Sequence, residues 1–183
     1  MRLGLLVLLL ALPITARADF AQTVVAAAQA QTRERVVYDG KYVRIPYPGG
    51  DVPAGTGVCT DVVIRAFRKG GLDLQKAVHE DMLKAFSAYP KNWGRREPDS
   101  NIDHRRVPNL MAYFTRRGAA LPATKNAADY APGDIVAWDL GGGVTHIGLV
   151  TGPGRVVHNI GRGPQAESVL FDWKIIGHYR YAP

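Results

Sequence analysis

Residues Thr145 to Ile160 read THIGLVTGPGRVVHNI. Two β-branched runs flank Gly152-Pro153-Gly154, which is the pattern of a β-hairpin with a tight turn. His146 and His158 lie an even number of residues apart, and strand side chains alternate in direction. A hairpin centred on Gly152 therefore sets the two histidines on one face, directly opposed and with Cβ atoms about 5 Å apart. A register half a step away would bring Asn159 opposite His146 instead. Either side chain, His158 or Asn159, could orient the His146 ring.

Outward from this hairpin the chain keeps a β character. Asp134–Trp138, Arg155–Ile160 and Ile175–Tyr181 are further β-rich runs. Upstream the periodicity is helical. Phe20–Arg35 reads as a helix with Asp19 as its cap, Val58–Lys69 as a helix stopped by Gly70-Gly71, Leu74–Tyr89 as another, and Pro108–Arg117 as a short fourth. Val36–Ile45 reads as extended, Pro46–Gly57 as a Gly/Pro loop, and Pro90–Pro108 as a polar, Arg-rich stretch without period. Helices first and sheet last is an α+β order. Residues 19–183 form one domain, with a helical, Arg-rich insertion around 72–118.

The chain has 183 residues, 46% of them apolar and 21% charged, which fits a folded domain and excludes a disordered one. Arg2, an apolar run from Leu3 to Ile14 and Ala16-Arg17-Ala18 form a signal peptide over residues 1–18. The run is too short to anchor, since a membrane span takes about 20 residues. The mature protein is expected to be exported, periplasmic or secreted, soluble and monomeric. Removing Arg2 and Arg17 lowers the formal charge from +7 to +5. That charge suits an anionic envelope partner; nucleic acid is not expected.

Cys59 is the single cysteine, so no intramolecular disulfide can form. It follows a Gly-rich loop and opens a helix, where free N–H groups and the helix dipole favour a thiolate. With His146 as base and His158 as orienter it completes a nucleophile, base and third group. Asp61 suits the same helix turn, although its charge opposes thiolate formation. Trp93 and the arginines at 95, 96, 105 and 106 form a basic stretch in which Arg105 and Arg106 could clamp a substrate carboxylate. His79-Glu80-Asp81 and Asp103-His104 lack the helical spacing of a metal site, and no metal or cofactor is expected. Gly141–Gly143 reads as a flexible turn beside the site. His178 falls on an expected edge strand and receives no role.

Tyr47-Pro-Gly-Gly, Gly57-Val-Cys59-Thr-Asp61, Pro132-Gly-Asp134-Ile-Val, Thr145-His146-Ile-Gly-Leu-Val and His158 together resemble the NlpC-type branch of the papain-like cysteine peptidases. The resemblance implies a papain-like α+β core, with the cysteine helix packed on an antiparallel sheet that bears both histidines. It also implies cleavage of an amide bond in peptidoglycan stem peptides. Tyr47, Asp61, Trp93, Arg105 and Arg106 are the candidate substrate contacts. Asn101-Ile-Asp-His-Arg-Arg-Val-Pro-Asn-Leu looks like the signature of an exported bacterial family of largely unassigned function. The chain departs from the NlpC pattern in having Val-Cys-Thr for Asp-Cys-Ser, and in the length of the segment between Cys59 and His146. Two other functions fit the same residues: a non-catalytic envelope binder, and an amidase or acyltransferase with another substrate.

If the signal reading holds, N-terminal sequencing of protein recovered from the cell envelope will begin at Asp19. A chain still starting at Met1 there would refute it.

Overall fold

The structure, a computed structural model, describes residues 14–183. Most of the expected signal segment lies outside the described residues. Helix α1 (Ile14–Gln31) is followed by the two-residue strands β1 (Val37–Tyr38) and β2 (Thr56–Gly57), which pair in parallel. Helices α2 (Cys59–Lys69), α3 (Leu74–Ala85) and α4 (Val107–Arg116) come next. Strands β3 (Ala120–Leu121), β4 (Ile135–Asp139), β5 (Thr145–Gly152), β6 (Arg155–Asn159), β7 (Pro164–Glu167) and β8 (Lys174–Tyr179) build one antiparallel sheet in the order β3-β8-β4-β5-β6-β7. The α+β order read from the sequence is the observed one. Among the described residues no helix is long and apolar enough to cross a membrane.

Several boundaries differ from expectation for local reasons. Helix α1 already runs through Asp19, whose carbonyl accepts from the Thr23 hydroxyl, so Asp19 is an interior residue and not a cap. Helix α3 ends at Ala85, and a 3₁₀ turn over Phe86–Ala88 leads to Pro90, which cannot extend a helix. Strand β8 is interior, between β3 and β4, so His178 is not on an edge. Its Nε2 lies 2.7 Å from Asp134, its ring stacks on Tyr130, and Arg180 closes on the same carboxylate at 2.7 Å.

The sheet has two apolar faces. Ile135, Ala137, Ile147, Leu149, Val157 and Tyr179 pack with Val24, Ala28, Val63, Phe67, Leu110 and Phe114 from the helices. On the other face Val136, Trp138, Val150 and Val156 pack with Tyr130 and Leu170. Strand alternation carries His146 and His158 onto this second face, with Trp138. The turn at Pro153-Gly154 is tighter than a hairpin centred on Gly152. Gly152 pairs with Arg155, and an extra residue, Thr151, bulges out before Val150 pairs with Val156. His158 then faces Gly148, and His146 stands diagonal to it instead of directly opposite. Gly148 makes that diagonal possible: a Cβ there would lie 2.9 Å from the Val157 carbonyl and 3.0 Å from the His158 Cβ.

Only the first part of the Arg-rich stretch is exposed as its composition suggests: residues 91–97, with Arg95 and Arg96, face solvent, and the part that follows does not. Residues 103–105 form a buried 3₁₀ turn, and Asp99, Asp103, His104, Arg105 and Asn109 are all buried. Arg105 inserts between this turn and α2. Its Nε and Nη2 each lie 2.9 Å from an Asp61 carboxylate oxygen, and its carbonyl accepts from the Thr60 hydroxyl. Such a bidentate pair is strongly destabilised when one member is removed, because the other is left buried and uncompensated.

Arg105→Ala is therefore expected to cost about 3–5 kcal/mol of unfolding free energy, read by urea denaturation. A loss near zero, accompanied by weaker substrate binding, would return Arg105 to the substrate site.

Candidate active site

Cys59 is the first residue of α2, and its backbone setting explains its position. Val58 is extended, and its N–H donates to Asp61 at 2.7 Å, so the Asp61 carboxylate caps the helix from the third position. The same carboxylate holds Arg105. Helix α2 has a strongly apolar face from Val62 to Phe67, which packs across β5, and the thiol comes to rest beside the backbone of Ile147. The Ile147 and Thr60 amides and the Tyr38 phenol all face the sulfur. No hydrogen bond joins the thiol to either imidazole among the described residues.

Burial pushes the Cys59 thiol up to about 11; the Asp61 charge adds to the rise, while the two amides and Tyr38 oppose it. The helix N-terminus does not yield a resting thiolate, contrary to the sequence expectation, because desolvation outweighs it here. Tyr38 itself is pushed up to about 12, first by partial burial and then by the neighbouring thiol.

The histidines form a linear chain. His146 Nε2 lies 2.8 Å from His158 Nδ1, and His158 Nε2 lies 2.9 Å from Glu167 Oε2. Arg162 donates to the other Glu167 oxygen at 3.0 Å. Trp138 stacks on His146 with ring centres 5.6 Å apart, and Trp173 covers both rings edge-on or tilted at 6.1 and 6.0 Å. Burial, and then the neighbouring His158, lowers His146 to about 3. Burial also lowers His158, although Glu167 pulls the other way. Both rings are neutral near pH 7.

Asn159 does not take the orienting position. Its amide donates to the Gly57 carbonyl at 3.4 Å, on the side of the cysteine loop. The pairing of β5 with β6 stops at Gly148 and His158, so the two strands part just where Cys59 approaches Ile147. The thiol and the imidazoles meet the sheet from opposite faces at this open end.

The expected substrate contacts are dispersed. Asp61 and Arg105 form the buried pair described above and are not available to a ligand as they stand. Arg106 pairs with Asp103 at 3.1 Å and lies over the Trp93 ring at 4.1 Å. Tyr47 packs edge-on against His79 of α3 at 5.0 Å. Trp93 and Tyr47 thus stand with the helical insertion, while Tyr38, Trp138, Trp173 and Glu167 surround the thiol or the histidines. Glu167 was missed because Pro164–Glu167 is too short and polar to read as a strand. Spacing gave no signal, since Glu167 stands nine residues after His158; it reaches the same sheet face only through the β6–β7 register, in which it pairs with Val156. Among the described residues there is no group of three or more His, Cys, Asp or Glu side chains able to hold a metal ion.

A thiol held near 11 has about a hundredfold less thiolate at neutral pH than an ordinary cysteine. Alkylation of Cys59 by iodoacetamide should accordingly be slow at pH 7 and climb with pH past 9. A rate already at plateau below pH 7 would reveal a thiolate–imidazolium pair instead.

Comparison with known proteins extends over nearly all of this fold. The family model described as "Domain of unknown function (DUF1287)" matches residues 25–181. A relative from Escherichia coli (strain K12), "Uncharacterized protein YijF", is 54% identical over 160 residues, covering 84% of this chain and 78% of the relative. The sequence reading of a bacterial family of unassigned function agrees with both matches, and the family match includes the segments carrying Cys59, His146, His158 and Glu167. The chain belongs to the DUF1287 family.

Proposed function

We propose that the protein is an exported cysteine hydrolase with a papain-like, NlpC-type active site, acting on an amide bond in peptidoglycan stem peptides. The observation that carries this reading is the histidine chain. Glu167 accepts from His158 Nε2–H, so His158 Nδ1 is an acceptor and takes the His146 Nε2–H. His146 Nδ1 is left with a free lone pair, one residue before the amide that holds the thiol. A neutral imidazole with its lone pair exposed and its other nitrogen anchored is a general base.

In the proposed cycle the Cys59 side chain turns from the Ile147 amide around the open end of β5 and β6. His146 Nδ1 takes the thiol proton as the sulfur attacks the substrate carbonyl carbon. The Thr60 amide, released when the sulfur turns away, offers a donor to the oxyanion. Collapse breaks the C–N bond, and His146 gives its proton to the departing amine. Water, deprotonated by the same nitrogen, then cleaves the thioester and regenerates the thiol. The net positive charge draws the anionic wall polymer to the protein.

A second reading, a non-catalytic envelope-binding domain, is favoured by one observation: the thiol is buried and makes no hydrogen bond to His146. The two separate on purified sacculi, with released fragments read by mass spectrometry. Wild type is expected to release cleaved stem peptides, Cys59→Ala none, and His146→Ala at least ~10³-fold less, because nucleophile and base act as one unit. His158→Ala should be milder. Cleavage that survives in folded Cys59→Ala, or sacculus binding without any release by wild type, would overturn the hydrolase reading.

A further inference from the structure

We propose that Glu167, held by Arg162, is a positioning residue that fixes the tautomer of both histidines and so decides which nitrogen of His146 carries the lone pair. Its catalytic meaning rests on the hydrolase reading above, but the tautomer order itself does not. The geometry leaves little freedom. An ionised carboxylate only accepts, so Glu167 Oε2 at 2.9 Å requires a proton on His158 Nε2. A neutral imidazole has one N–H, so His158 Nδ1 must then accept, and His146 Nε2 at 2.8 Å must donate. One carboxylate on β7 thereby sets the state of a ring two strands away. Trp138 and Trp173 enclose the pair and offer no competing partner to these ring nitrogens; among the described residues the charged groups hydrogen-bonded into this histidine relay are Glu167 and Arg162.

The arrangement predicts an unusual consequence of an isosteric change. In Glu167→Gln, Arg162 can only donate, so it retains the side-chain oxygen. The amide NH₂ then faces His158 Nε2 and can only donate in turn. His158 must shift its proton to Nδ1, and His146 must become the acceptor at Nε2, with its own proton on Nδ1. Each ring keeps one proton, but the lone pair of His146 is now at Nε2, occupied by the His158 Nδ1–H, and Nδ1 no longer offers one. An acid-to-amide change that reverses a histidine tautomer is known to cost about 10⁴-fold in a serine protease triad.

The test is ¹⁵N NMR of the histidine rings, with assignments from His146→Ala and His158→Ala, on the mature protein near pH 7. Wild type is expected to show Nε2–H on both rings, and Glu167→Gln to show Nδ1–H on both, with circular dichroism unchanged. Sacculus hydrolysis should fall by ~10²–10⁴-fold in Glu167→Gln. Wild-type rings with Nδ1–H, or tautomers that stay the same in Glu167→Gln, would overturn the proposal. Tautomers that reverse in a protein with no hydrolase activity would uphold it while removing the hydrolase reading. Hydrolysis that continues at the wild-type rate with reversed tautomers would refute the positioning role alone.

Discussion

The Asp61 carboxylate ties the cysteine-bearing helix α2 to everything around it. One oxygen receives the Val58 amide and so fixes where α2 begins, and both oxygens grip Arg105 from the helical insertion. The helix start places Cys59, and the Arg105 clasp fixes the long connection between the cysteine and the sheet. The cost of burying a guanidinium and a carboxylate is met here by bidentate geometry and by a backbone donor on the remaining lone pair. Gly57 belongs to the same constraint. A Cβ there would come within 3.3 Å of Asp61 and 3.2 Å of Arg65, so a larger residue would press on the side chains of this cluster.

A second constraint acts across the sheet. The bulge at Thr151 shifts the β5–β6 register, Gly148 gives up its side chain, and the two histidines lie diagonal with their rings in contact. Aromatic rings close over them. Desolvation then lowers both imidazoles and raises the thiol, so each group is held in its neutral form. Under the proposed hydrolase reading, a neutral thiol and a neutral, oriented imidazole would exchange a proton during attack, in contrast to a preformed ion pair. The separation of the thiol at Ile147 from His146 fits a resting form in which the nucleophile is turned inward.

Much of this was legible in the residues. Helical spacing in Val58–Lys69 and alternation in Thr145–Ile160 located α2, β5 and β6, and parity alone put the two histidines on one face. The register was not legible, because a single bulge decides it and Thr151 looks like any other strand residue. Glu167 was hidden by the brevity of β7, and Tyr38 by the two-residue length of β1. The largest misreading concerned the arginines. Composition makes Arg95 to Arg106 look solvated, yet Arg105 is buried because Asp61, 44 residues earlier, waits to pair with it. Long-range pairing of this kind leaves no local pattern. Asn101 to Leu110 is a structural clasp in which Asp103 takes the Asp99 amide and Arg106, while His104 Nδ1 and Asn109 Oδ1 stay buried without a partner.

The central claim is that Cys59 forms a covalent acyl intermediate, with His146 as its base. Intact-protein mass spectrometry after rapid quench of the mature protein with a purified stem peptide tests it directly. The account predicts a transient mass gain equal to the acyl half of the peptide, mapped to Cys59, released by hydroxylamine as a thioester would be, and absent in His146→Ala. Peptide recovered intact with no adduct, or cleavage that proceeds with Cys59 unmodified at every time point, would contradict it.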